Sequence, residues 1–329
     1  MAATAKGASI YWYAIKRIIE AVPSIFIVIV INFIIIHLTP GDPAVIFAGE
    51  SATPEYIELV RESLGLNKPL HEQLYIYVWR VMNGDLGYSF MSHEPVLNLI
   101  LSKLPATLLL MGVALLFSSL LGVFLGVISS KRPNSITDHL ATTTALLFYC
   151  LPAFWLAQIL LIVLSLNLGL FPMGGLESLN VEHVGIDRAL DILYHLALPA
   201  ISLGMFQLAA ITRLTRASML EVASSDFIVT ARSKGMPPSR ILYVHTLKNA
   251  LRPVITQIGF NLGYMVGGTA LVETVFAWPG LGRLLYDSLL SRDNPVLLGI
   301  LVFLSVSVIV GNLLADVAYA VIDPRVRYK

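Results

Sequence analysis

The chain has 329 residues, of which 56% are hydrophobic and only 13% are charged, and its formal net charge is +1. Soluble proteins carry about 25% charged residues, so this composition excludes an ordinary soluble domain. The one cysteine, Cys150, excludes an intrachain disulfide and a paired-cysteine metal site. We expect membrane lipid as the surrounding medium and no nucleic acid as a partner.

Six apolar runs have roughly the length, about 20 residues, that crosses a ~30 Å hydrocarbon core. They predict an all-α, polytopic membrane protein with six transmembrane helices. The runs are residues 18–38, 105–129, 139–166, 196–214, 253–275 and 296–319. With this topology, 15 of the 22 Lys and Arg residues fall on the side of the two termini and 7 on the other. Because Lys and Arg are enriched on the cytoplasmic side, we expect both termini in the cytoplasm.

An outer insertion of residues 39–104 follows the first span. It has two amphipathic patterns, the first from Thr53 to Gly65 and the second from Lys68 to Gly84. Each predicts a helix that packs on its own protein, lies on the membrane or meets an external partner. We divide the chain into the first span with this insertion (residues 1–94), a permease core (95–322) and a cytoplasmic tail (323–329).

Glycine and proline mark two features of the spans. Gly122 and Gly126 have the four-residue spacing that lets membrane helices approach closely. Pro152 and Pro199 interrupt backbone hydrogen bonding and permit kinks.

A basic segment, residues 213–252, separates the fourth and fifth spans. It contains seven Lys and Arg residues and only two acids, Glu221 and Asp226. Such a polar interruption of a hydrophobic chain favours a surface offered to a cytoplasmic partner. The alternative is a basic loop that merely enforces the topology.

Within this segment we predict a short helix of about nine residues. Ser225 is a suitable N-cap, and Gly235 a suitable end. Phe227, Ile228 and Ala231 are expected to form its buried face, with Ala231 also on the face that a partner covers. A rigid helix joined to two spans would transmit the push of a partner to both.

The fifth span carries two stripes, about 130° apart around the helix at ~100° per residue. One face is predicted to pack against another helix: Gly259, Gly263 and Gly267. The other is predicted to face the bundle interior or the translocation path: Gln257, Asn261, Tyr264 and Gly268. Interhelical hydrogen bonding without a role in passage remains the alternative for each polar residue.

A turn and an amphipathic helix follow the fifth span on the outer side. Trp278, Pro279 and Gly280 predict the turn, and Leu284 belongs to the apolar repeat of the helix. These four residues are predicted to form an outer gate or a contact with an external binding protein. An ordinary interfacial helix is the alternative.

The sequence contains none of three common motifs for nucleotide binding and hydrolysis. There is no G-x-x-x-x-G-K-[ST] loop, no G-x-S-x-G and no H-E-x-x-H. The acids of the spans, Glu20, Glu273 and Asp316, lie near span ends, which disfavours an ion-coupled carrier. A self-sufficient carrier or channel and an intramembrane enzyme stay as rival functions. We predict no catalytic, cofactor-binding or metal-binding residue in this chain.

Over nearly its whole length the chain resembles the B-type membrane subunit of dipeptide and oligopeptide ABC importers, a family that also includes nickel, glutathione and some sugar systems. The resemblance is carried by Pro40-Gly-Asp-Pro43, Gly65-Leu-Asn-Lys-Pro-Leu70, Gly84-Asp-Leu-Gly-Tyr-Ser89, Leu104-Pro-Ala-Thr107, Phe171-Pro172 with Gly174, Glu273-Thr-Val-Phe-Ala-Trp-Pro-Gly-Leu-Gly282 and Asp323-Pro-Arg325.

The basic segment is similar to the "EAA" loop of importers. Ala231, Gly235 and Leu247 match its pattern strictly, whereas the family's glutamate and final proline are missing. Residues 220–252 are therefore identified as the coupling loop. The ATPase-coupling residues that the resemblance implies are Phe227, Ile228, Thr230, Ala231, Arg232, Gly235 and Leu247.

The resemblance implies a type I importer fold and a non-catalytic permease subunit in a prokaryotic inner membrane. It further implies four partner subunits: a homologous C-type permease, two cytosolic ATPases that bind ATP and Mg, and an external solute-binding protein. Peptide is the expected cargo, moved by alternating access.

Overall fold

Helices make up almost all of the regular structure. The computed structural model describes the backbone over residues 2–38, 41–49, 52–89, 91–179 and 183–322, and the side chains over the same residues except 2–18, 260, 262–268 and 314–322. The α-helices are α1 (Ala2–Leu38), α2 (Pro43–Ala48), α3 (Pro54–Leu64), α4 (Leu70–Met82), α5 (Val96–Lys131), α6 (Ile136–Cys150), α7 (Ala153–Leu160), α8 (Ile186–Ala223), α9 (Asp226–Ser233), α10 (Pro238–Arg240), α11 (Lys248–Gly268), α12 (Ala270–Val275), α13 (Leu281–Leu290) and α14 (Asn294–Ile322).

Two stretches are π-helical: π1 (Leu161–Asn167) continues α7, and π2 (Ile241–Leu247) leads into α11. A small antiparallel hairpin pairs strand β1 (Tyr88–Ser89) with strand β2 (Glu94–Pro95). Tyr88 lies opposite Pro95, and Ser89 lies opposite Glu94.

Four helices among the described residues are long and apolar enough to cross a membrane. They are Ile19–Leu38, Val96–Lys131, Ile186–Ala223 and Asn294–Leu313. They correspond to the first, second, fourth and sixth predicted spans, and the all-α polytopic fold class is confirmed.

The third predicted span is not one continuous helix. Ile136–Cys150 and Ala153–Asn167 meet at an angle of 101°, with Pro152 at the break. Proline has no N–H to continue the helix and biases the preceding Leu151 away from helical geometry. Counting the bent pair as one span gives five. The fifth predicted span is divided between α11 and α12, so the total of six spans stays a prediction.

The centre of the bundle is the contact between α5 and α8. A β-carbon at Gly122 would lie 2.9 Å from the side chain of Ile211, and one at Gly126 would lie 2.9 Å from the carbonyl oxygen of Thr212. The predicted close approach at these glycines is therefore confirmed. Pro199 lies inside α8, which continues through it without a break.

The insertion after α1 forms the two predicted helices, α3 and α4. Thr53 accepts a hydrogen bond from the N–H of Tyr56 at 3.3 Å, and Gly65 ends α3 in a left-handed conformation. On α4, Gln73 hydrogen-bonds His37 of α1 at 2.9 Å. Burial raises the pKa of Tyr77, also on α4, to about 12. The described contacts thus place α4 against its own protein.

A surface ion pair fixes the start of the insertion. The Arg61 guanidinium of α3 binds Asp42, the residue that caps α2, and holds the pKa of that carboxyl below its ordinary value.

Candidate functional site

The short helix α9 lies between α8 and α11, at one end of the bundle that we call the α9 end. It begins directly after Ser225, whose backbone is extended as expected of a capping residue. The Ser225 hydroxyl, however, donates to the carbonyl of Val222 at 2.5 Å and caps no helical N–H. The predicted start of the helix is right, but the predicted side-chain cap is absent.

One face of α9 is anchored to its own chain. Ile228 and Ala231 are buried, and they pack with Ile241 and the partly buried Met236. Ile241 is the first residue of π2, which runs directly into α11. α9 is therefore connected to α11 through side-chain contact as well as along the backbone.

The rest of the α9 surface is open. Phe227 is 47% exposed and Val229 is 55% exposed, and Thr230 and Arg232 are exposed as well. Two predictions need correction here: Phe227 is not on the buried face, and Ala231 is not on the surface that a partner can cover. The reason is geometric, because Ile228 and Ala231, three residues apart, centre the anchored face and leave Phe227 to its side.

The end of α9 follows the prediction. Gly235 has φ +73°, a left-handed conformation. Its N–H donates to the carbonyl of Arg232 at 2.9 Å, and the N–H of Met236 donates to that of Ala231 at 3.3 Å. A glycine after the last turn satisfies helix carbonyls in this way without the strain of a side chain.

Leu247 does not lie with the other predicted coupling residues. It is half-buried in a separate cluster with Val127 of α5, Met219 of α8 and Ala250 of α11. It joins three spans at the α9 end and does not contribute to the exposed face of α9.

Three of the basic residues at the α9 end bind within the chain. Arg216 forms a two-pronged ion pair with the buried Asp138, at 2.6 and 2.7 Å. Lys131 hydrogen-bonds the hydroxyl of Tyr243 at 2.9 Å. Arg213 lies over the ring of Tyr149, 4.9 Å from its centre. The sequence prediction treated Arg213 and Arg216 as part of a surface for a partner, whereas in the structure Arg216 binds the buried Asp138 and Arg213, although exposed, lies over Tyr149.

The polar stripe of α11 is described in part. The Gln257 amide donates to the Asn261 oxygen at 2.9 Å, and Asn261 is buried. Gly259 is half-buried. The side-chain surroundings of Gly263, Tyr264, Gly267 and Gly268 lie outside the described residues. The assignment of one face to packing and the other to the path stays a prediction.

At the opposite end of the bundle, the turn after α12 encloses a carboxyl group. Glu273 is fully buried. It accepts hydrogen bonds from the Thr107 hydroxyl at 2.8 Å and from the N–H of Arg283, in the first turn of α13, at 3.0 Å. The Thr107 hydroxyl in turn accepts the N–H of Leu281 at 2.7 Å. A carboxyl from α12 thus occupies the N-terminus of α13, where the helix dipole favours negative charge.

The turn itself is part of the core. The Trp278 side chain is fully buried, and its indole N–H donates to the carbonyl of Ala106 at 2.9 Å. Gly280 is buried against the Glu273 carboxyl, which leaves no room for a side chain. Trp278 and Gly280 are therefore not on the surface where a contact with an external protein was predicted. Pro279 and Leu284 are half-buried, and the gating role of all four stays a prediction.

Sequence reasoning missed Asp138, Tyr149 and Thr107. Asp138 and Thr107 each place a hydrogen-bonding side chain at the edge of an apolar run. Such a side chain needs a hydrogen-bond partner if it is buried, and this was the signal available in the sequence. Their partners, Arg216 and Glu273, are distant in the sequence. Among the described residues, no group of three His, Cys, Asp or Glu side chains is placed to hold a metal ion.

The comparisons with known proteins agree with this architecture. Residues 118–328 match the family model of the binding-protein-dependent transport system inner membrane component, and residues 10–111 match the model of its N-terminal part. The chain is 41% identical to the oligopeptide transport system permease protein AppB of Bacillus subtilis over 96% of its own length and 99% of the relative. It is 39% identical to the dipeptide transport system permease protein DppB of Escherichia coli strain K12, with the same coverage.

Among solved structures, the inward-facing MetNI methionine ABC transporter aligns with a TM-score of 0.55 at 20% identity. The alignment covers 68% of this chain and 96% of that chain.

Proposed function

The chain belongs to the family of binding-protein-dependent transport system inner membrane components, and we propose that it is the permease subunit of an ABC importer for peptides. It is a multi-pass membrane protein without catalytic chemistry of its own. The peptide cargo is supported by the names of the two relatives, an oligopeptide and a dipeptide permease, which match it over nearly the full length.

The proposed assembly has four other subunits. A homologous C-type permease completes the pore, two cytosolic subunits bind ATP and Mg and hydrolyse the ATP, and an external solute-binding protein delivers the cargo. The proposed location is a prokaryotic inner membrane, with the termini and the α9 end in the cytoplasm. The excess of Lys and Arg on that side supports this orientation.

The observation that carries the proposal is the two-sided character of α9. Ile228 and Ala231 fix the helix to the permease, while Phe227 and Val229 expose apolar side chains at the end of the bundle. Exposed aromatic side chains beside polar neighbours are typical of protein interfaces. We propose that a groove of an ATPase subunit covers this face.

Coupling then follows from the anchored face. When the ATPases close on ATP, they move α9, and Ile228 pushes on Ile241 at the start of π2. Since π2 continues into α11, the fifth predicted span moves with it. A short helix packed on one side and held by a partner on the other gives the two-state element that alternating access needs.

Reconstitution into proteoliposomes tests the proposal. We expect no ATP hydrolysis above background from the purified chain alone, and peptide uptake with peptide-stimulated hydrolysis only from the complex with the ATPases, the second permease and the binding protein. Phe227→Ala should uncouple the complex, whereas Val244→Ala, an exposed residue outside α9, should leave it intact. Ion-driven uptake by the chain alone would favour the rival, a self-sufficient carrier.

A further inference from the structure

A groove between α6 and α8 holds an arginine that the coupling mechanism does not use. The groove has a volume of about 470 Å³ and is lined by Thr142, Thr143, Leu146, Arg213 and Arg216. The Arg213 guanidinium lies 4.9 Å from the centre of the Tyr149 ring. That ring stacks on Phe206 with centres 4.9 Å apart and planes 15° apart. Arg213 thus lines the groove while its guanidinium lies over an aromatic pair beside the groove.

The two arginines of the groove differ in their partners. Arg216 is occupied, because both oxygens of Asp138 bind it. Arg213 is exposed, and within the described residues its one recorded interaction is the contact with Tyr149. The planar guanidinium of Arg213 can bind a carboxylate with two hydrogen bonds. No carboxylate of the described residues is recorded in that position.

The Arg213 charge lies farther from the α9 end, along the bundle axis, than the charge of Arg216. Asp138 is in the first turn of α6, and Tyr149 follows eleven residues later in the same helix, which is about 16 Å along the axis. Arg216 reaches toward Asp138, at the α9 end, whereas Arg213 reaches toward Tyr149, away from that end. An arginine that serves only to anchor a helix at the membrane surface extends its side chain toward water instead.

A guanidinium at this depth requires water or a partner, since exposure to lipid is costly. Four of the five residues that line the groove, Arg213, Arg216, Thr142 and Thr143, have polar side chains, so water can enter it beside the guanidinium. We infer that the α6–α8 groove lines the translocation path and that Arg213, on its Tyr149 platform, binds the C-terminal carboxylate of the peptide in transit. The inference rests on the proposed function and specifies the part of the cargo that is recognised.

The chemistry suits a permease with a variable cargo. Every linear peptide has one terminal carboxylate, whatever its side chains are. A guanidinium bound to that group, with an aromatic face beside the adjacent peptide plane, tolerates different sequences. The same guanidinium could bind the phosphate of an anionic lipid, so the experiment must separate these two anions.

The test compares uptake of a tripeptide and its C-terminal amide by the complete complex in proteoliposomes. Wild type should transport the free acid at least about tenfold better than the amide, the factor expected for one lost charged hydrogen-bonding partner. Arg213→Gln should reduce that ratio by about tenfold, because it loses uptake of the free acid. Arg213→Lys keeps the charge but not the two-pronged geometry, so it should reduce the ratio by about threefold. Arg132→Gln, an exposed arginine outside the groove, should keep the wild-type ratio.

Because the binding protein is the same in every sample, its own preference cancels when the ratios of variants are compared. An unchanged ratio in Arg213→Gln, or in Arg213→Lys if the first variant does not assemble, overturns the inference. So does an equal loss of both forms. The substitution could also act only in vesicles that contain phosphatidylglycerol and not in vesicles of phosphatidylcholine. That result would assign Arg213 to lipid binding and would overturn the inference. Failure of wild type to transport either form refutes the proposed function before any variant is compared.

Discussion

The two ends of the bundle hold their short helices in different ways. At the α9 end, α9 is attached to the rest of the chain by a small apolar cluster, and its recorded side-chain hydrogen bonds, from Thr230 and Ser233, stay within the helix. At the opposite end, α13 is joined to α5 and α12 by a buried network. Its members, Thr107 and Glu273, are 166 residues apart in the sequence.

The difference indicates that the α13 end is rigid, whereas the α9 end can shift and is the end that a partner is expected to complete. Directional hydrogen bonds to a buried carboxyl allow one arrangement, and breaking any of them leaves an unsatisfied polar group. An apolar contact of a few side chains is non-directional and tolerates small shifts. The turn at the opposite end is therefore held in one arrangement, whereas α9 can shift, as the proposed coupling to an ATPase requires.

The largest expected effect is the loss of the buried carboxyl. Glu273→Ala leaves the Thr107 hydroxyl and the N–H of Arg283 without their acceptor and opens a cavity. We expect the unfolding free energy to fall by about 3 kcal/mol or more. Thermal unfolding of the purified permease in detergent measures this, together with its yield from the membrane.

Asp287→Ala is the matched control, since it removes an exposed acid from α13 whose recorded ion pair within the described part of the chain is with Arg283 at 3.6 Å. It should change stability by less than about 0.5 kcal/mol. Equal effects of the two substitutions would show that the network adds no rigidity, and the contrast between the two ends would be lost.

The next effect tests the anchor of α9. Ala231→Glu places a carboxyl in the apolar contact with Ile228, Ile241 and Met236, at a local cost of about 3 kcal/mol if it stays buried. We expect α9 to detach and peptide uptake to fall to background, while the bundle keeps its thermal stability. The measurement is limited proteolysis of the segment alongside uptake.

Phe227→Ala sharpens this test because it alters the exposed face and spares the anchor. It should reduce ATPase coupling without making the segment more sensitive to protease. If Ala231→Glu and Phe227→Ala both left uptake intact, α9 would be a topological loop and not a coupling element.

The same contrast separates what the sequence could predict from what it could not. Local signals were sufficient for the bounds of α9, since Gly235 marks its end and Ser225 its start. They also predicted the close approach at Gly122 and Gly126. Periodicity could not assign Phe227, because adjacent apolar residues on a short helix compete for one face and the sequence does not name the neighbour.

Long-range partners were out of reach of such signals. The burial of Trp278 depends on the carbonyl of Ala106, 172 residues away, and the turn signal of Trp278-Pro279-Gly280 fits a surface loop equally well. Pro152 was recognised as a kink site, but the size of the bend, 101°, could not be predicted from the sequence. The contact of Arg213 with Tyr149 is likewise invisible in the sequence, because the two residues lie on different helices.

The smallest expected effect concerns the backbone at the end of α9. Gly235 has φ +73°, and nothing lies within 4 Å of the position where a β-carbon would stand, so a side chain costs backbone strain and no steric clash. Gly235→Val should therefore destabilise the end of the helix by about 1–2 kcal/mol, and Gly235→Asn by less, because asparagine tolerates the left-handed region. A lever needs a defined end, so we expect uptake to fall in the order glycine, asparagine, valine while expression and thermal stability stay unchanged. The measurement is peptide uptake by the three forms at equal protein amounts. A valine variant as active as wild type would mean that the contact of Ile228 and Ala231 alone fixes α9, and that its C-terminal turn plays no part in coupling.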